Sequence, residues 1–236
     1  MATLTGESLM QKTTPVLSTK SLRILVADDH DILRRGLKHL LTAHPGWQVV
    51  AEARTGREAV SLSEEHKPDI VVIDVSMPDL NGLEAARRIR KALPKTGIVI
   101  LTLHFSDQLV KDIVEAGARA YVMKADADRD LVNAVEAIAS HRTFFTAQAA
   151  EMLLNDFSDR ITSPQPPPNP RSRLTSRERE IVQLLAEGKS SKEVAVALGI
   201  SVKTAETHRA NIMRKLQVHS VSELVRYAIK NSIIEA

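Results

Sequence analysis

Five short apolar runs mark out the first 125 residues or so, at 22–27, 47–51, 70–75, 98–103 and 119–123. Most are rich in Val, Ile or Leu, and runs of this length that are apolar on consecutive positions predict strands buried on both faces, as parallel sheets require. Between and after them the apolar positions return at helical spacing. This predicts helices over Asp31 to Thr42, Gly56 to His66, Leu83 to Leu93, Asp107 to Ala116 and Asp128 to Ser140. Five strand-helix units in alternation predict an α/β, doubly wound parallel sheet with right-handed crossovers and helices on both faces.

Beyond residue 140 the alternation stops. Ala147 to Leu154 reads as a further helix, and the segment Ser163-Pro164-Gln165-Pro166-Pro167-Pro168-Asn169-Pro170 then holds half of the ten prolines. Proline on this scale ends helices and favours an extended, semi-rigid spacer. After it the pattern is all-α. Thr175/Glu178, Ser190/Glu193 and Ser220/Glu223 each place Ser or Thr three residues before Glu, which predicts capping boxes at three helix starts. Gly188 ends the first of these helices, and Gly199-Ile200-Ser201 separates the second from a third that begins near Val202. Four helices with a tight glycine-containing turn predict a helix-turn-helix unit. The expected organisation is a disordered extension over 1–20, an α/β domain over 21–141, a linker over 142–171 and the helical domain over 172–236.

Composition narrows the functional classes. The chain has 236 residues and no cysteine, so disulfides and thiolate metal sites are excluded. No stretch approaches the roughly 18 consecutive apolar residues of a spanning helix, and residues 1–20 lack the apolar core of a secretory signal. A soluble, cytoplasmic protein is expected. Residues 1–150 balance 19 basic against 19 acidic side chains, whereas 171–230 carry 12 basic against 6 acidic. The excess positive charge belongs to the helical domain, a bias that suits nucleic acid but also an ordinary solvated helix face, so local structure has to decide.

Candidate chemistry gathers at the strand ends. The run Val71-Val72-Ile73-Asp74-Val75-Ser76-Met77-Pro78-Asp79-Leu80-Asn81-Gly82 ends a strand on a carboxylate and breaks into a turn, and Leu22 to Ala27 ends on Asp28-Asp29. In an open parallel sheet both ends meet at one carboxyl edge, where ligands bind. Three converging carboxylates raise one another's pKa values unless a cation answers them. Magnesium is the expected ion, because it takes one or two carboxylates and leaves positions for water and phosphate oxygens. Lys124 and Thr102 end two further strands and would complete the surroundings of a phosphoryl group on Asp74.

The ordered set Asp28-Asp29, Asp74 with Met77-Pro78 and Gly82, Thr102, and Tyr121 with Lys124 resembles the receiver domain of two-component response regulators over roughly residues 22–141. The resemblance implies strand order 2-1-3-4-5. It implies Asp74 as phosphoacceptor from a sensor histidine kinase, with magnesium ligated directly by Asp29, Asp74 and the Ser76 carbonyl, Asp28 helping through a water or as a direct ligand, and Lys124 paired with the phosphate. Thr102 and Tyr121 are implied as the switch. Leu103 stands where many receivers have a smaller residue, so a longer-lived phosphorylated state is expected.

In the helical domain, Ala205, Ile212 and Leu216 form an apolar stripe, and Lys203, Thr207, Ala210 and Arg214 turn away from it with Glu206 and Asn211 on the flanks. Small residues at 207 and 210 would let this helix enter a major groove, with Lys203, Thr204 and Arg214 reaching phosphates or base edges. The segments from Leu174 to Ile181, Gly188 to Ala195, and Ile200 to His208 with Lys215-Leu216 resemble the LuxR-type DNA-binding domain. Receiver plus this domain is the organisation of the NarL/FixJ group, which implies double-stranded promoter DNA as partner and a homodimer as the active form. Leu224, Val225, Ala228 and Ile229 of the last helix would supply the contact between copies or pack within their own domain, and both can hold at different residues. Two departures stand out. Glu206 occupies a position where many relatives have Lys, which points to base selection, and Ala205 replaces a commoner Val. The other functional classes open to the sequence are a phosphorylation-independent dimeric interaction protein and a magnesium-dependent phosphatase. No substrate-specificity cap or further acid/base motif supports the phosphatase.

Overall fold

The computed structural model describes residues 21–162 and 174–234. The extension expected over 1–20 and the Pro-rich spacer at 163–170 lie outside the described residues. The N-terminal unit runs β1 (Leu22–Ala27), α1 (Asp31–Thr42), β2 (Trp47–Ala53), α2 (Gly56–His66), β3 (Ile70–Asp74), α3 (Gly82–Ala92), β4 (Gly97–Thr102), α4 (Asp107–Glu115), β5 (Ala120–Met123) and α5 (Ala127–Ala139). A single 3-10 turn at Lys124–Asp126 joins β5 to α5. All five strands are parallel, in the order β2-β1-β3-β4-β5, as the resemblance implied.

Alternation along the strands sorts the helices onto two faces. Leu25, Ala27, Val71, Ile73, Ile98, Ile100 and Tyr121 point to the side covered by α2, α3 and α4. Ile24, Val26, Val72, Val99, Leu101 and Val122 point to the side covered by α1 and α5. Strand β2 is two residues longer than its apolar run. Its register against β1 shifts between Ile24 and Leu25, which lets Glu52 and Ala53 continue the ladder opposite Val26 and Ala27. The charge on Glu52 hid that continuation. Trp47 is half-buried at the edge of the second core, with its ring stacked 3.9 Å from that of His44.

Helix α6 (Ala147–Thr162) follows, with Ala149 fully buried and Met152 and Leu153 packed against the first of these cores. The helical unit comprises α7 (Ser176–Ala186), α8 (Ser191–Leu198), α9 (Val202–Leu216) and α10 (Val221–Lys230), closed around Ile181, Leu184, Val194, Ala205, Ile212, Leu224 and Ala228. Capping boxes form at Thr175 and Ser190. At Ser220 the expected box is open. The Ser220 hydroxyl accepts from the Glu223 N–H, but the Glu223 carboxylate accepts from the His219 N–H one residue earlier. Helix α9 is capped without a capping box: Ser201 accepts from the Thr204 N–H at 3.1 Å, and Thr204 rather than Glu stands at the third position.

Candidate functional site

The sheet brings the two strand-end acids together. Asp28 directly follows β1, its N–H donating to the Ala53 carbonyl, and Asp74 is the last residue of β3. Both are fully buried. Lys124, the first residue past β5, reaches between them, with Nζ 3.0 Å from Asp28 Oδ2 and 2.7 Å from Asp74 Oδ2. Burial pushes Asp74 up to about 7, against the pull of the Lys124 ammonium. Burial works against the charge of Lys124 as well, but Asp74 and Asp28 outweigh it and hold the ammonium above its ordinary value. Asp28 Oδ2, both oxygens of Asp74 and Lys124 Nζ are all buried, and this ion pair is what answers them among the described residues.

Two buried carboxylates answered by a single ammonium leave acceptor capacity that a hard divalent cation would satisfy. Asp28, Asp29, His30 and Asp74 present ligand atoms that all lie within 4.8 Å of one another. Asp29 and His30 are exposed and stand at the mouth, where His30 Nδ1 is 2.8 Å from Asp29 Oδ1. His30 escaped the sequence reading, because a lone histidine before a helix carries no spacing signal. The residues present therefore fit magnesium: buried acidic oxygens inside and a solvent-facing carboxylate outside. Ser76 sits half-buried two residues beyond Asp74.

Thr102 and Tyr121 are placed differently. The Thr102 hydroxyl donates to the His104 carbonyl at 3.0 Å, within its own loop. Tyr121 is buried, and its hydroxyl bonds the Thr146 hydroxyl at 2.9 Å. Thr146 in turn accepts from the Ala149 N–H at the start of α6. The aromatic is thus tied to the helix that leaves the α/β unit. Leu103, beside Thr102, is exposed.

On α9, Lys203, Thr204, Glu206, Thr207, Ala210, Asn211 and Arg214 are all exposed, and Ala205 and Ile212 are buried on the opposite side. The Arg214 guanidinium donates to Asn211 Oδ1 at 2.7 Å, one turn back. Capped at one end and packed along one stripe, the helix offers a polar surface with no bulky residue at its centre. Of the α10 residues expected between copies, Leu224 and Ala228 are core of their own domain and only Ile229 is substantially exposed.

Comparison with known proteins matches residues 24–136 to the response regulator receiver domain and residues 172–228 to the bacterial regulatory proteins of the luxR family. The oxygen regulatory protein NreC of Staphylococcus epidermidis is 35% identical over 220 residues, covering 91% of this chain and 100% of that protein. The chain is a two-component response regulator of the NarL/FixJ group. It belongs with DNA-binding transcription regulators that carry a receiver and a LuxR-type domain. Among solved structures, a LuxR-family response regulator from Aurantimonas is 38% identical, with TM-score 0.54, and covers 58% of this chain and 97% of that one. The RcsB regulator of Salmonella typhimurium shares the fold at TM-score 0.61 and 24% identity, over 90% of this chain and 98% of that one. No helix among the described residues of this response regulator is long and apolar enough to cross a membrane.

Proposed function

We propose that this response regulator takes a phosphoryl group onto Asp74 from the phosphohistidine of a sensor kinase and that this changes its dimerisation and promoter binding. The observation that carries the reading is the Lys124 ammonium held between two buried carboxylates at the carboxyl edge of the sheet. An ammonium there answers the carboxylates before transfer and the phosphate after it. An Asp74 carboxylate oxygen attacks phosphorus, the phosphorus–nitrogen bond of the donor breaks, and the leaving imidazole keeps the electron pair and takes a proton from solvent. Nucleophilic carboxylates of this kind are an established route for phosphoryl groups. Magnesium, held by Asp28, Asp29, Asp74 and the Ser76 carbonyl, would supply neutralisation of the charge on the phosphoryl oxygens.

Thr102 is the proposed sensor: a hydroxyl that leaves the His104 carbonyl for a phosphate oxygen alters the space open to Tyr121. Because Tyr121 bonds Thr146, its movement reaches the cap of α6 directly. Output follows as two copies read half-sites with Lys203, Thr204, Glu206, Thr207, Ala210, Asn211 and Arg214. The test is DNA affinity and oligomeric state with and without acetyl phosphate, for wild type and Asp74→Asn. A phosphodonor effect on wild type alone supports the reading, and no effect on either property contradicts it.

One observation favours a second reading. The proposed DNA-facing side of α9 is exposed in the unmodified protein, as a phosphorylation-independent DNA-binding protein would require. Asp74→Asn protein that binds promoter DNA as tightly as phosphorylated wild type would select it.

A further inference from the structure

The amino edge of the sheet, opposite the Asp74 pocket, holds a cavity of about 630 Å³. Strand β1 starts there at Leu22, β3 at Ile70 and β4 at Gly97, and α3 and α5 end beside it. Leu22, Ile70, Ile98 and Ile138 give it an aliphatic floor. Four cations line the same cavity: Arg90 of α3, Lys95 and Arg119 from the loops before β4 and β5, and Arg142 beyond α5. Asp69 is the one acidic residue in the lining, and its carboxylate already accepts from the Arg23 N–H at 2.9 Å.

Two glycines shape this space. A Cβ at Gly97 would stand 2.2 Å from Ile138 Cγ2, and one at Gly117 would stand 3.0 Å from Arg90 Cγ. Gly117 also keeps a φ of 83°, which any side chain would strain. A larger residue at either position would displace part of the floor or one of the cations.

Basic residues at helix carboxyl ends ordinarily answer the exposed carbonyls there, and two of these do so in part. The Arg90 guanidinium donates to the Pro94 carbonyl, and Arg119 Nη2 donates to the His141 carbonyl at 3.0 Å. A guanidinium has five donors, so most of theirs remain. Lys95 and Arg142 are exposed, and their side chains bond no other group among the described residues. No carboxylate among the described residues pairs with any of the four, whereas Arg34, Arg57, Arg88 and Lys124 of the same domain each meet one. Four like charges around one concavity repel each other, and an anion relieves them. Guanidinium forks match phosphate oxygens, while the aliphatic floor suits an uncharged body. The volume lies within the range of small-molecule sites.

We propose that the amino edge of the receiver binds a small phosphorylated molecule of mononucleotide size, with its phosphate on Lys95, Arg119 and Arg142 and its apolar or aromatic body over Ile70, Ile98 and Ile138. Strand β3 runs from Ile70 to Asp74, so this ligand and a phosphoryl group on Asp74 would occupy opposite edges of the sheet.

The experiment is calorimetric titration of the full chain, without magnesium, using AMP, adenosine and inorganic phosphate as probes. Wild type is compared with Lys95→Glu, Arg142→Glu and Arg214→Ala. A single AMP per chain should bind, with adenosine and phosphate each about tenfold weaker or more, since each lacks one half of the contacts. Lys95→Glu and Arg142→Glu change exposed side chains, and each should weaken AMP about tenfold with the melting temperature unmoved. Arg214→Ala should bind AMP like wild type. Absence of saturable AMP binding overturns the proposal. Binding that survives both charge reversals also overturns it, as does binding that Arg214→Ala weakens instead, because AMP would then sit on α9. Phosphate bound as tightly as AMP overturns it too, since the aliphatic floor would take no part.

Discussion

At the carboxyl edge of the sheet, Asp28 and Asp74 are removed from water and answered by one ammonium, whereas on α9 Lys203, Thr207 and Arg214 face solvent. The first region is a coupled unit. Each charge is tolerated in the interior only because the others are present, so removing one partner strands the rest. The second is a set of nearly independent contacts whose effects should add, because exposed side chains lose little when a neighbour goes. Buried charge makes a site that responds to one event, and exposed charge makes a surface tuned by increments.

The largest effect should come from the backbone beneath the pocket. Gly82→Ala places a methyl 1.8 Å from the Asp74 carbonyl oxygen, so the loop must shift. Chemical denaturation should register a loss of about 3 kcal/mol, together with slower phosphoryl uptake. A variant as stable as wild type would show the loop to be softer than described.

Next comes the coupling between pH and metal. Burial raises Asp74 from an ordinary value of 3.8 to about 7. Between those values the folded protein holds a proton that the unfolded chain has released, so this group's contribution to stability falls as pH rises through that window and levels off above it. A divalent cation binds the ionised form. Magnesium should therefore raise the melting temperature by about 4 °C more near pH 8 than near pH 5.5, and Asp74→Asn should abolish the difference. Equal shifts at both pH values would break the contrast between the pocket and the surface.

On the exposed side, Arg214→Ala should weaken DNA binding by about 1.5 kcal/mol and, if the contact is to phosphate, lower the salt slope by about 1. Phosphoryl uptake and stability should stay unchanged, and titration of labelled duplex at several salt concentrations checks this. A stability loss would mean that Arg214 packs as well as reads. The smallest effect is at the caps. Ser190→Ala should lower stability by about 1 kcal/mol because its capping box is complete. Ser220→Ala should lower it less, since its box is open. Equal losses in urea titrations would contradict that distinction.

Much of this was legible in the sequence because the relevant signals are local. Consecutive Val and Ile marked β1, β3 and β4, and a carboxylate or ammonium at a strand end marked Asp28, Asp74 and Lys124. The stripe Ala205, Ile212, Leu216 marked the inner side of α9 and so its outer side. What escaped depends on distant partners. Glu180 and Gln183 look like solvated positions of an amphipathic helix, yet they are buried by Arg57, Arg88 and the Met77–Asn81 loop, about a hundred residues away in the chain. The Tyr121 hydroxyl bond to Thr146 is likewise invisible until α6 folds back onto α4. Glu223 chose the His219 N–H over that of Ser220, a competition between adjacent donors that a three-residue spacing leaves undecided.

The pocket at the strand ends is the centre of the account, and its chemistry has a direct readout. Peptide mass mapping after treatment of the full chain with acetyl phosphate and magnesium should find one acid-stable, base-labile adduct at Asp74, absent from Asp74→Asn and strongly reduced in Lys124→Met. An unmodified Asp74, or an adduct that persists in Asp74→Asn, would contradict it.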